Sequence, residues 1–138
     1  LCHPKTEQNK PAVEWLMSRL EEGAEVYVPE IADYELRREL MRLAKKAGNP
    51  ETKSLKRLNT LLQQLEYLPL NTNMMLAAAE FWADARSRGL PGASEDSLDG
   101  DVIIAAQACS VEAKVVTTNR KLLEHFVEVV DWPPLSDS

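Results

Sequence analysis

Asp99 and Asp101 are the residues of this sequence best placed to do chemistry. They stand in Leu98-Asp99-Gly100-Asp101-Val102-Ile103-Ile104-Ala105-Ala106-Gln107-Ala108, at the mouth of a helix whose body is almost wholly apolar. A helix apolar all round is buried on most sides, so its first turn sits at the edge of a core. A carboxylate there lies near unpaired backbone N–H groups and the positive end of the helix dipole, which keeps it ionised and aimed. A divalent-metal ligand needs those two properties. Acids in a first turn also serve simply to cap a helix, and this segment alone does not separate the two roles.

Two further positions offer oxygen donors. Glu35 lies one turn into a helix that follows a β-rich run, beside an apolar stripe of Ile31, Leu36, Leu40 and Leu43. A carboxylate bordering such a stripe is costly unless it finds a cation. The plainer reading pairs Glu35 with Arg38, and Glu39 with Arg42, on a solvated helix face. Asn119 follows the run Val115 to Thr118. It can cap the next helix, or present its side-chain oxygen to a metal or a bound water. Thr117 and Thr118 can hydrogen-bond carboxylates nearby. Oxygen ligands without His or Cys suit magnesium or manganese. An ion of that kind activates water and neutralises charge on a phosphodiester. Arg37, Arg38 and Arg42, with Lys45 and Lys46, form a basic run on the Glu35 helix. They could hold an RNA backbone, or be ordinary solvated surface.

The elements that would position these residues follow from periodicity. Pro11 to Glu22 reads as an amphipathic helix ended by Gly23, and Glu25 to Pro29 as a short strand. Helices follow at Ile31 to Ala47, stopped by Gly48-Asn49-Pro50, and at Pro50 to Leu65. Tyr67 to Leu70 reads as a strand, and Asn71 or Thr72 caps a helix running to Arg88. Gly89 to Asp96 reads as a mobile surface loop. The Asp101 helix, a strand at Lys114 to Thr118, a short helix from Arg120 to His125, and a strand at Val127 to Val130 complete the order. Short strands alternating with helices predict an α/β fold, a three-layer α/β/α sandwich around a small central parallel sheet. Ligands of such sheets bind beyond the carboxyl ends of the strands, where Glu35, Asp101 and Asn119 would converge with Asp99 nearby.

The 138 residues predict one domain, and 44% hydrophobic with 28% charged residues fits a globular chain without a membrane span. A net charge of −6 argues against a general nucleic-acid binder, although clustered metal-holding carboxylates would themselves make a nuclease acidic. Cys2 and Cys109 lack metal-ligand spacing, Cys109 reads as a packing residue, and a reducing cytoplasm is expected. His3 and His125 form no metal pattern. Trp15, Trp82 and Trp132 read as core or edge residues.

The helix opened by Asp101-Val102-Ile103-Ile104-Ala105-Ala106, the run Val115-Val116-Thr117-Thr118-Asn119, and Glu35-Leu36 in this order resemble the PIN-domain family, in particular VapC-type toxin nucleases. The resemblance covers most of the chain. It implies a Mg2+- or Mn2+-dependent endoribonuclease with a cluster of acids, usually four, probing RNA as substrate. Glu35 matches the second acid and Asp101 the third, while Asn119 stands where the fourth is often Asp. Asp99 would be an auxiliary acid. The family's first acid closes an opening strand, which would lie upstream of Leu1, so this exact chain is expected to fall short of full activity. The resemblance also implies a homodimer and a small antitoxin that blocks the acidic pocket. The rivals are a non-catalytic PIN-fold RNA- or protein-binding module with an incomplete acid cluster, and a helical interaction protein whose acids are solvated caps.

Overall fold

A computed structural model describes residues 6–117 and 120–131, with the side chains of 14–117 and 120–130. The chain divides into two compact units, Leu1–Leu68 and Pro69–Ser138.

The first unit runs α1 (Thr6–Glu21), β1 (Tyr27–Pro29), α2 (Glu30–Ala47), α3 (Lys53–Gln64) and β2 (Glu66–Leu68). Helix α1 begins before Pro11 and ends where Gly23 takes φ +81°. The Ala24 N–H then donates back to the Arg19 carbonyl at 3.0 Å. Gly48 closes α2 in the left-handed region at φ 69°, its N–H reaching the Ala44 and Lys45 carbonyls. The next helix starts later than Pro50. Its cap is Thr52, whose side chain accepts from the Leu55 N–H at 3.3 Å. The Asn49 side chain instead holds Glu51 N–H at 3.1 Å in a turn, because the residue before a proline resists helical geometry.

Helices α2 and α3 pack through Leu40, Ala44, Leu55 and Leu58, flanked by Leu36, Leu61 and Leu62. Fully burying a leucine contributes about 1.5–3 kcal/mol, so this four-residue seam is what holds the hairpin. Leu43 does not join it. With about 100° of rotation per residue, the Leu40–Ala44 row leaves Leu43 off the seam, and it is 41% exposed. Strands β1 and β2 pair in parallel, with Val28 beside Tyr67.

The second unit runs α4 (Thr72–Arg88), α5 (Leu98–Ser110), β3 (Val115–Thr117), a 3-10 turn (Leu123–His125) and β4 (Val129–Asp131). Asn71 caps α4, its side-chain oxygen accepting from Met74 N–H at 2.9 Å. Asn71→Ala should cost about 1 kcal/mol, read as a lower urea midpoint with unchanged slope. Helices α4 and α5 lie against each other, and Ala78, Ala85, Ala105 and Ala106 are all buried. These small residues let two helix backbones approach closely.

Residues 89–96 were expected to form a mobile surface loop. They form a run of hydrogen-bonded turns, with Ala93 N–H on the Leu90 carbonyl and Glu95 N–H on the Gly92 carbonyl. Ala93 is buried, and a Cβ at Gly92, which has φ +87°, would meet Leu122 at 3.3 Å. The helix expected from Arg120 contracts to the single 3-10 turn, preceded by an Arg120–Glu124 ion pair at 2.8 Å. Strands β3 and β4 pair in parallel, Val116 beside Val130.

Helices with parallel strand pairs are the α/β class that the alternating pattern implied. No helix of the described residues is long and apolar enough to cross a membrane.

Candidate metal centre

Helix α5 has the character its sequence demands. Leu98, Gly100, Val102, Ala105, Ala106, Gln107 and Ala108 are buried, and Asp99 and Asp101 occupy the first turn. Two residues on a helix are separated by about 200° of rotation, so these acids face different ways. Asp99 is exposed, while Asp101 is half-buried at the edge of the packed face. They therefore cannot both aim at one point from the same side of α5. Ser97 at the N-cap makes no side-chain cap bond. The backbone N–H of Asp101 donates to the Ser97 carbonyl at 3.0 Å.

Glu35 lies on α2, in the first unit. It is half-buried, and its side chain is 35% exposed with Arg38 at 3.9 Å. That distance is the outer limit of an ion pair, and surface pairs of this kind contribute little. The carboxylate thus borders the α2 apolar row as expected and stays accessible to a stronger cation. Asn119 and Thr118 lie outside the described residues, as do Cys2, His3 and Trp132. Among the described residues, no group of three or more His, Cys, Asp or Glu side chains gathers to hold a metal ion. The donors that Glu35, Asp101 and Asn119 can offer are all hard oxygens, which fits Mg2+ or Mn2+ by chemistry.

The basic run of α2 is less free than its sequence implies. Arg37 reaches Asp33 at 3.1 Å and donates to the Asn59 side chain of α3 at 3.0 Å. Arg42 donates to Glu39 at 3.1 Å, the pairing read from the sequence. Arg38 lies over the Tyr34 ring at 5.1 Å. Arg38 and Arg42 remain 58% and 60% exposed, against 30% for Arg37. Arg37 is thus a clasp between α2 and α3, and the other two are the more accessible cations.

Sequence reasoning missed a polar network beside this clasp. The Tyr67 hydroxyl of β2 donates to Asp33 at 3.1 Å. Burial, this hydrogen bond and the charge of Asp33 push the Tyr67 hydroxyl up to about 12. The Asp33/Arg37 spacing was a visible helical pair, but Asn59 and Tyr67 stand 22 and 34 residues from their partners. A tyrosine with a raised folded-state value stabilises the fold below its ordinary value near 10 and loses that contribution as pH climbs towards 12. Stability should therefore fall across that window in the native protein, and Tyr67→Phe should flatten this part of the profile. Thermal melts from pH 9 to about 12 would check it; an identical decline in the variant would refute the assignment.

Cys109 departs from expectation in being exposed, with its thiol donating to the Phe126 carbonyl at 3.7 Å. Partial burial pushes that thiol up, which disfavours the reactive thiolate. His125 is exposed in the 3-10 turn, and Trp82 is 40% exposed under Arg86 at 5.2 Å.

The PIN domain family model matches residues 5–127. No curated protein is significantly similar to the chain in sequence. Among solved structures, VapBC2 from Rickettsia felis bound to a DNA fragment from their promoter aligns at TM-score 0.63 and 20% identity, covering 94% of this chain and 87% of that one. DNA-bound VapBC from Salmonella typhimurium aligns at TM-score 0.65 and 24% identity, covering 91% and 88%. FitAcB from Neisseria gonorrhoeae aligns at TM-score 0.60 and 25% identity, covering 88% and 84%.

Proposed function

This chain belongs to the PIN-domain family, and from that premise we propose that it is a metal-dependent endoribonuclease, the toxin of a toxin–antitoxin pair. The observation that carries the reading is the family match over residues 5–127, which takes in Glu35, Asp99, Asp101 and Asn119 together. We read residues 1–138 as one PIN domain, since that match runs through both compact units.

In this reading Glu35 and Asp101 bind a Mg2+ or Mn2+ ion directly. Asn119 orients a ligand or water with its side-chain oxygen, and Asp99, exposed and on another side of α5, acts as an auxiliary acid. When bound, the ion supplies an activated water and offsets charge on the phosphodiester. The half-burial of Asp101 keeps its carboxylate fixed by the packed helix beneath it. Arg38 and Arg42 contact RNA phosphates, and Arg37 braces the helix that presents them. Arginine suits that task because its planar fork matches phosphate oxygens.

The solved complexes are VapBC and FitA-containing assemblies, which supports a small antitoxin as partner. A homodimer is part of the same proposal. Met75, Leu76 and Trp82 of α4, 46%, 62% and 40% exposed, supply apolar surface of the kind that partners cover. A cytoplasmic setting completes the reading.

The test is cleavage of a labelled single-stranded RNA by the intact gene product with Mn2+, beside the same mixture with EDTA. Cleavage only with the ion is expected. Equal cleavage in both refutes metal dependence, and binding without cleavage in either favours a non-catalytic module.

A further inference from the structure

Helix α2 follows β1 without a linker. Pro29 is both the last residue of the strand and the N-cap of the helix, and it makes no side-chain cap bond. The cap therefore adds nothing to fix how far α2 is turned about its own axis. Glu35 is held only loosely at its own position, by Arg38 at 3.9 Å. The other side of the helix is held firmly. Both oxygens of the Asp33 carboxylate are engaged: Oδ1 accepts from Arg37 Nε at 3.2 Å, and Oδ2 accepts from the Tyr67 hydroxyl of β2 at 3.1 Å. Arg37 Nη1 donates onward to Asn59 Oδ1 of α3 at 3.0 Å. The Asp33 side chain is only 12% exposed, which limits the water that would compete for these bonds. Tyr67 pairs in register with Val28 of β1, so its hydroxyl ties the first turn of α2 back to the strands. All of these residues belong to the first compact unit.

Asp33 and Arg37 each stand two residues from Glu35, about 200° round the helix. The clasp and Glu35 thus occupy different sides of one stiff rod. Side chains reach about 5–6 Å from a helix axis, so turning α2 by about 10° moves a surface carboxylate by about 1 Å. A misplacement of about 1 Å at a reacting site can cost about a hundredfold in rate. The buried leucine seam begins only at Leu40, and apolar packing is non-directional. Hydrogen bonds to β2 and α3 supply direction in the first two turns, where Glu35 lies. We infer that Tyr67, Asp33, Arg37 and Asn59 together are positioning residues for Glu35, fixing the rotation of α2 so that this carboxylate stands where a divalent ion is bound. The inference rests on the reading of Glu35 as a metal ligand, and it gives none of the four a contact with ion or RNA.

Calorimetric titration of Mn2+ into the full chain tests it, with Tyr67→Phe, Asn59→Leu, Asn59→Asp and Thr52→Ala beside the native protein. Thr52→Ala removes the cap bond of α3 and lowers stability without touching the clasp. Tyr67→Phe and Asn59→Leu should each weaken Mn2+ binding by about tenfold. Asn59→Asp keeps an oxygen for Arg37 and should bind as the native chain does. Thr52→Ala should also bind natively, although its urea midpoint falls. Native affinity in Tyr67→Phe or Asn59→Leu, a loss in Asn59→Asp equal to that in Asn59→Leu, or an equal loss in Thr52→Ala overturns the inference and leaves the metal reading standing. A native chain that binds no Mn2+ overturns both.

Discussion

Asp101→Asn is expected to lower metal-dependent RNA cleavage by about a hundredfold or more, with little change in stability. Asparagine keeps the size of the side chain and one oxygen, so the first turn of α5 and the packed face behind it remain. What is lost is the charge that holds a divalent ion. Even residues that only orient a metal ligand typically change affinity or activity by about 10–100-fold, so a direct ligand should reach the upper end or beyond. Weakened interaction with the helix dipole adds only about 0.3–1 kcal/mol to the folding balance. Glu35→Gln should behave alike, because its 3.9 Å contact with Arg38 contributes little to the fold. Asp99→Asn should be milder, since that exposed acid faces another way. Gel-resolved cleavage rates with Mn2+, alongside urea midpoints, separate the two effects. Full activity in Asp101→Asn would remove the residue from the site.

Leu98→Ala is the substitution expected to damage the fold most. Leu98 is 2% exposed and among the largest fully buried side chains. Truncating a leucine in such a place costs about 2–5 kcal/mol, the lost transfer energy plus the cavity left behind. Against a typical total of about 5–15 kcal/mol, that is a large share. The position also opens α5 immediately before Asp99 and Asp101, so loosening it frees the turn that fixes the acids. Leu43→Ala, at a residue 41% exposed and outside the α2–α3 seam, should stay within about 0.5 kcal/mol. Equal urea midpoints for the two variants would contradict the packing described for α5.

The legible parts of the sequence were those governed by local chemistry. Gly23, Gly48 and Asn71 marked helix ends because a left-handed residue or a side-chain cap acts within one turn. The apolar body of α5 announced its own burial. Leu43 was misassigned because an aliphatic stripe read by type does not reveal which of two neighbouring rows a partner helix covers. The turns at 89–96 were read as loose because composition reports glycine, proline and serine but not the buried anchor at Ala93 or the close approach of Gly92 to Leu122. Strands of three residues carry too little alternation to fix their ends. At the candidate site, Glu35 and Asp101 were visible as acids at the edges of apolar helix faces. The clasp of Arg37 to Asn59 and the bond from Tyr67 to Asp33 were not visible, since both join residues far apart in sequence. That clasp matters for function: it turns one arginine of an apparent RNA-binding run into a structural tie.

Calorimetric titration of Mn2+ into the native protein, Glu35→Gln, Asp101→Asn and the double variant reads the shared-ion claim without relying on catalysis. One binding event should appear in the native chain and be lost to the same extent in each single variant, with the double variant no worse than either. Undiminished binding in either single variant, or losses that simply add, would mean that these two carboxylates do not hold the same ion.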